Sequence, residues 1–227
     1  MRVIFLNAWH GNLGQQLRTY LADEAAKTQV FCFQECDGEM GTICCDTLKD
    51  FTSFTAHKKL NDREDFMQAV YVHKKIWLEN QKILFAKDTE LGLGLSFEAA
   101  YQGSRFGICN IHGISRPVDK KDTAVRIQQS TKLIKHITKM PGIKILGGDF
   151  NTLPDEKSIT MFETAGYKSL IKDFAVNTTR NRYVWERYPK NKMYYSDYVF
   201  VERGTKLKSF DVPGIEVSDH LPMVVEL

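Results

Sequence analysis

The chain contains no apolar run approaching the roughly 20 residues that a membrane-crossing helix needs, no internal repeat and no low-complexity tract. Nor does a Pro/Gly/Ser-rich or highly charged stretch divide it, so a single domain spanning 1–227 is expected. Cysteine is sparse and odd in number, at Cys32, Cys36, Cys44, Cys45 and Cys109. The adjacent pair Cys44-Cys45 is a poor candidate for a bridge with itself, which argues against a disulfide framework and for a reducing, cytoplasmic setting. A zinc site is not read from these thiols either, because Cys32 sits inside an apolar run and is expected to point into the core. The amino-terminal stretch 1–6 is far shorter than a signal-peptide core, and no membrane anchor is expected. Thirty-one Lys plus Arg against twenty-eight Asp plus Glu leave a net charge of +3, too little to announce a polyanion-binding protein but compatible with a local basic rim.

What is present is a strand-rich chain. At 227 residues, 43% hydrophobic and 26% charged, it is long enough to bury about 70–75% of its unfolded surface around a sheet-centred core. Apolar runs of strand length recur at 3–6, 30–33, 69–72, 76–85, 91–97, 106–111, 143–146, 198–201 and 223–227. Helical patterns lie at 13–27, 42–48, 122–139 and 156–165. A hairpin-rich centre between helical segments predicts stacked mixed sheets with helices outside, an α/β (α+β) sandwich instead of an alternating α/β wheel.

Polar residues with chemical capacity gather where these runs end. Gly147-Gly148-Asp149-Phe150-Asn151 follows the run 143–146, offering tight backbone approach, a base and a neutral amide on one loop. Ser218-Asp219-His220 precedes the last strand and sets a carboxylate beside an imidazole. Within Asn110-Ile111-His112-Gly113, strand alternation puts Asn110 and His112 on one side. Asn7 ends the first strand, Gln34-Glu35 the second, and Ser196-Asp197-Tyr198 opens the strand 198–201. Taken singly, each reads equally as a turn, a cap or a satisfied core group. Together, strand ends bearing Asn7, Glu35, His112 and Asp149 are what one ligand site requires.

This ordered set resembles the endonuclease/exonuclease/phosphatase superfamily over the whole chain. The resemblance implies a deoxyribonuclease-I-like fold: a four-layer sandwich of two mixed, largely antiparallel sheets flanked by helices. It also implies hydrolysis of phosphate esters with Mg²⁺, for which Mn²⁺ is a possible substitute. Carried over by position, Glu35 with Asn7 and Asp219 holds the metal and Asp149 orients and deprotonates the attacking water. Asn151 supports that water or the phosphate, His220 donates to a phosphate oxygen while Asp197 fixes its tautomer, and His112 faces the same phosphate. Asn110 and Arg180 are assigned to substrate binding, with Arg182 an alternative to Arg180. Glu64 or Asp65 is expected to supply a carboxylate to His112. Abasic-site nucleases of this superfamily usually carry Tyr at the His112 position, so the chain looks closer to its other branches.

The expected function is a phosphodiesterase or nuclease acting on nucleic acid or nucleotides, with DNA or RNA as the partner and a monomer as the assembly. Arg, Lys and aromatic residues interleaved over 180–195 favour it. The alternatives are hydrolysis of a small-molecule or lipid phosphate and a noncatalytic binding module of the same fold.

Overall fold

A computed structural model describes residues 1–62 and 64–227. In chain order the elements are β1 (Arg2–Asn7), α1 (Gly14–Ala25), β2 (Val30–Gln34), α2 (Met40–Thr47), β3 (Phe51–Asn61), β4 (Glu64–His73), β5 (Trp77–Leu84), β6 (Leu93–Tyr101), β7 (Ser104–His112), α3 (Ala124–Ile137), β8 (Ile143–Asp149), α4 (Lys157–Thr164), β9 (Tyr167–Ser169), α5 (Leu170–Asp173), α6 (Arg182–Arg187), β10 (Asp197–Glu202), β11 (Ser209–Asp211) and β12 (Met223–Glu226). Two six-stranded sheets result, ordered β11-β12-β1-β2-β4-β3 and β5-β6-β7-β8-β10-β9.

The continuous apolar runs are explained by burial on both faces. In β1, Val3 and Phe5 enter the core between the sheets, while Ile4 and Leu6 pack outward with Leu17 and Leu21 of α1 and Ile43 of α2. A strand covered on both sides has no solvent face to mark with polar residues, so it reads as an uninterrupted apolar string. On the far side, Leu133 and Ile137 of α3 and Ile159 and Phe162 of α4 close the second sheet. Among the described residues no helix is long and apolar enough to cross a membrane. The five cysteines are free, with Cys32 buried in the inter-sheet core.

The topology decides where polar groups meet. Each sheet has one parallel pair near its middle, β1 with β2 and β7 with β8. Parallel strands end on the same edge, so Asn7 lies beside Gln34, and His112 beside Asp149. The antiparallel neighbours start where those strands end: Asp197, first residue of β10, pairs with Asp149, and β12 runs antiparallel to β1 directly after Ser218-Asp219-His220. One edge of the sandwich therefore collects strand ends from both sheets.

Candidate active site

Asp149 is the centre of this edge. It is 2% exposed, and the two glycines before it let it sit there. Gly147 faces the ring of Phe5 across the inter-sheet gap, where an added Cβ would come within 2.9 Å of ring carbons. Gly148 has φ +129°, and a Cβ there would lie 2.1 Å from the carbonyl oxygen of Ile111. Only glycine fits both the dihedral and the space.

Around Asp149 the partners are specific. The Asn7 Nδ2 donates to Asp149 Oδ2 at 3.1 Å and to Glu35 Oε1 at 3.0 Å, bridging the two carboxylates, while its Oδ1 accepts from the Trp9 backbone N–H at 3.0 Å. The Asn151 backbone N–H donates to Asp149 Oδ1 at 2.8 Å, and the Asn151 Nδ2 donates to the Gly113 carbonyl at 3.1 Å. His112 Nε2 lies 3.8 Å from Glu35 Oε1 and 3.9 Å from Asp149 Oδ2; His220 Nε2 lies 3.7 Å from Asp149 Oδ2. Two imidazoles thus flank one carboxylate, near enough to share its charge but beyond direct hydrogen-bond distance.

The His220 ring is held from behind. Its Nδ1 donates to Asp197, with both carboxylate oxygens at 2.9 Å, which leaves Nε2 aimed at Asp149. Asp197 Oδ2 also accepts from Thr179 Oγ1 at 2.9 Å and Ser196 Oγ at 3.1 Å. Segment 179–181 is pinned alongside by the Leu221 N–H to Thr179 carbonyl bond at 2.8 Å and the Asn181 Nδ2 to Ser218 carbonyl bond at 2.7 Å. That brings Arg180 to Asp219 at 3.0 Å and to Ser196 Oγ at 3.1 Å.

Charge at the site is balanced in opposing ways. Burial would raise the Asp149 pKa, but His220, His112, Lys120 and Arg180 together outweigh it and hold the carboxyl below the usual range. For His220, burial and Arg180 push the pKa down while Asp197 and Asp219 push it up, and the carboxylates prevail. The pair is therefore a carboxylate and an imidazole biased toward imidazolium.

The structure brings Asn7, Glu35, His112, Asp149, Asn151, Arg180, Asp197, Asp219 and His220 to this one edge. Asn110 lies behind it: fully buried, it donates through Nδ2 to the Phe33 carbonyl at 2.9 Å and accepts from Gln34 Nε2 at 2.5 Å, tying one sheet to the other instead of facing a ligand. Arg182 points elsewhere, to Glu216 at 2.8 Å. The expected carboxylate for His112 is corrected as well. Glu64 Oε1 is taken by the backbone N–H and hydroxyl of Ser115 at 2.6 and 2.9 Å, and Asp65 pairs at 2.5 Å with His57 across the β3–β4 edge. Among the described residues His112 Nδ1 has no partner, and the ring instead packs edge-on against Phe66 at 4.9 Å.

Two side chains at the site carry no sequence signal. Lys120 sits in a charged loop that reads as solvated, yet its Nζ donates to Asn151 Oδ1. His10, three residues beyond Asn7, lies 3.3 Å from Glu35 Oε2 and also contacts Asp37.

The donor set suits a hard divalent cation, which favours oxygen ligands. Glu35 is a carboxylate whose ion-pair contacts, among the described residues, are the histidines His10 and His112, with no Lys or Arg to neutralise it. Asp149, Asp197 and His220 have ligand atoms within 4.8 Å of one another. Asp197, however, already accepts from His220, Thr179 and Ser196, so this trio is an orienting chain. The other carboxylates of the edge are Glu35, whose Oε1 accepts from Asn7, and Asp219, whose Oδ2 is paired with Arg180.

Edge, sheets and site together define a phosphoesterase-type fold. Residues 4–220 match the endonuclease/exonuclease/phosphatase family, and the chain belongs to it. It is similar in structure to the human Nocturnin catalytic domain (TM-score 0.73, 18% identity, 99% of this chain and 92% of that one) and to a humanized D. rerio TDP2 (TM-score 0.75, 15% identity, 99% and 97%). A mannosyl-6-phosphatase from Bacteroides thetaiotaomicron VPI-5482 is comparably similar (TM-score 0.72, 16% identity, 100% and 98%). These likenesses establish the fold. In sequence, the chain is 22% identical over 205 residues to a UPF0294 protein from Vibrio campbellii (strain ATCC BAA-1116), covering 90% of this chain and 66% of that protein's length.

Proposed function

We propose that the chain is a Mg²⁺-dependent phosphodiesterase acting on nucleic acid or nucleotides by attack of an activated water. The observation that carries this reading is the placement of Asp149 between two imidazoles, each 3.7–3.9 Å away, with one imidazole locked by Asp197. Glu35 and Asp219 would hold the cation beside Asn7, and when bound it supplies a positive charge that stabilises a non-bridging phosphate oxygen.

The chain's own groups supply the rest. Asp149, kept ionised by its cationic neighbours, accepts a hydrogen bond from the attacking water and takes its proton. Its basicity rises when the substrate phosphate draws on the same cations. Asn151 and Asn7 fix the carboxylate's direction. His220 donates from Nε2 to a phosphate oxygen, its Nδ1 proton being committed to Asp197, and His112 meets the same charge from the other side. Arg180, held by Asp219 and Ser196, lies within the same cluster as a phosphate contact.

Nucleic acid or a nucleotide is favoured as substrate by the segment 180–195, which combines Arg180, Arg182, Arg187, Lys190 and Lys192 with Tyr183, Trp185, Tyr188, Tyr194 and Tyr195. Rings there pair with one another and with cations: Trp185 with Tyr194 at 5.1 Å and Arg182 over Tyr183 at 5.1 Å.

Replacing Asp149 by Asn tests the reading. Turnover of bis(p-nitrophenyl) phosphate and of single-stranded DNA, each with Mg²⁺, is expected to fall by about 10²–10⁴-fold in kcat. Turnover in the variant within tenfold of the unmodified protein rules Asp149 out as the base.

A further inference from the structure

A cavity of about 310 Å³ opens between the loop 113–121 and the segment 184–193. It lies at the small end of ligand pockets, which run from about 300 to 1,000 Å³. Val118, Val184, Tyr188 and Met193 give it apolar and aromatic walls. Among the described residues, the charged side chains that line it are all cations: Arg116, Lys120 and Arg180.

Two of these cations, Lys120 and Arg180, join the cavity to the catalytic edge, and each keeps donor capacity that its contacts in the protein do not use. Lys120 donates to the neutral amide oxygen of Asn151 and has no carboxylate in ion-pair contact among the described residues. Burial accordingly pulls its pKa down to about 8, against the opposing pull of Asp149. Arg180 is 7% exposed; its terminal nitrogens are held by Asp219 and Ser196, but among the described residues its Nε has no hydrogen-bond partner. Cations left in this condition favour an incoming anion, which would relieve part of their burial cost.

The walls are also held in place. Arg126, buried in α3, donates to the Pro117 carbonyl at 2.9 Å, and Glu64 accepts from the backbone N–H of Ser115. Opposite, Tyr188 is 50% exposed, and Arg187 stands over its ring at 5.3 Å.

We propose that this pocket receives the base of the nucleotide carrying the scissile phosphate, stacked on Tyr188, while Lys120, Arg180 and Arg116 face the phosphate. The proposal rests on the nucleotide reading above and names the subsite that would enforce it. The lining favours a base over the other phosphate esters. A sugar presents hydroxyls all round and would meet mostly carbon here, and a lipid chain wants a longer groove without cations. A flat ring with polar edges fits apolar walls that carry Ser115 and Asn191.

The test compares a dinucleoside phosphate with analogues lacking either base, on the full chain, in turnover with Mg²⁺ and in equilibrium binding with chelator. Loss of one base is expected to lower kcat/KM and affinity about tenfold, in the range of one base–aromatic stack. Tyr188→Ala should shrink that preference to less than about threefold, whereas Phe174→Ala, a comparably exposed aromatic outside the pocket, should preserve it. A hexanucleotide binding more than about tenfold tighter than the dinucleotide identifies a strand as the source; equal affinity identifies free nucleotides. No base preference in either measurement overturns the proposal, as does a preference that survives Tyr188→Ala, or mannose 6-phosphate competing as well as the dinucleotide. Turnover without base preference removes the pocket and leaves the hydrolase. Base-dependent binding without turnover does the reverse.

Discussion

The polar groups at the functional edge come from two kinds of structure. Asn7, Glu35, His112, Asp149 and Asp197 stand at the ends of core strands, and most are tied to one another: Asn7 bridges two carboxylates, and Asp197 accepts from three donors. The groups of the rim, Arg116, Lys120 and Tyr188, ride on loops, and their side chains line the cavity. The strand-borne set is organised by backbone geometry that tolerates almost no change. The loop-borne set carries charge that the protein holds incompletely compensated. Chemistry common to a fold belongs on the first kind of support and substrate choice on the second, since loops vary at small cost to the core.

The sharpest way to break this contrast is to disturb the strand support itself. Gly148→Ala puts a Cβ 2.1 Å from the Ile111 carbonyl oxygen at φ +129°, so either β7 and β8 separate or Asp149 is displaced. Chemical denaturation should register a loss of about 3 kcal/mol or more, with activity falling in whatever fraction remains folded. A stability change under about 0.5 kcal/mol would show that the close approach of these strands is not required.

The same contrast explains how far the site could be read from the amino-acid sequence. Asn7, Glu35, His112 and Asp149 were visible because doubly buried strands are plain apolar strings and each string stops at a polar residue. Strand β3 left no such trace: its residues Phe51–Asn61 form a sheet edge, mostly polar and partly exposed, and the sequence reads as neither strand nor helix. The three-residue strands β9 and β11 and the short α6 fall below the length at which periodicity speaks. Lys120 escaped because a lysine among charges looks solvated, and only tertiary contact with Asn151 distinguishes it. Asn110 ties the two sheets together and does not face a ligand; alternation reports which side of a strand a residue takes and not whether that side is filled by the other sheet. Glu64 and Asp65 failed as partners for His112 because a loop N–H and a cross-strand histidine claim them first.

A smaller effect with opposite signs in two measurements sharpens the comparison at the rim. Lys120→Met keeps the length of the side chain and removes a charge that burial disfavours. At pH 7 the variant is expected to be more stable by about 1 kcal/mol while KM rises, a gain in folding set against a loss in binding. The pH dependence has a fixed sign. With its folded pKa lowered to about 8 from 10.5, Lys120 binds fewer protons folded than unfolded between those values. Its burial cost is thus full below about pH 8 and declines as pH rises toward 10.5. The stability difference between variant and parent should narrow over that interval in urea titrations. A variant less stable than its parent at pH 7 would show that the Asn151 contact is structural support, which moves Lys120 into the first class of residue.

The smallest effect separates the pocket from the surface that leads to it. Arg187 is exposed and, among the described residues, reaches the site through the ring of Tyr188, 5.3 Å away, so its truncation should leave kcat intact and act on capture of a strand. One phosphate contact fewer lowers the slope of log KM against log salt by about 0.7 for a single strand, and loss of the cation over the ring adds about a two- to fivefold rise in KM. Steady-state kinetics of Arg187→Ala on a hexanucleotide between 50 and 200 mM salt, roughly the span over which such contacts are screened, measure both. A slope unchanged from the parent confines Arg187 to shaping Tyr188; a slope change with no change in base preference shows that the basic aromatic segment gathers the strand while the pocket reads it.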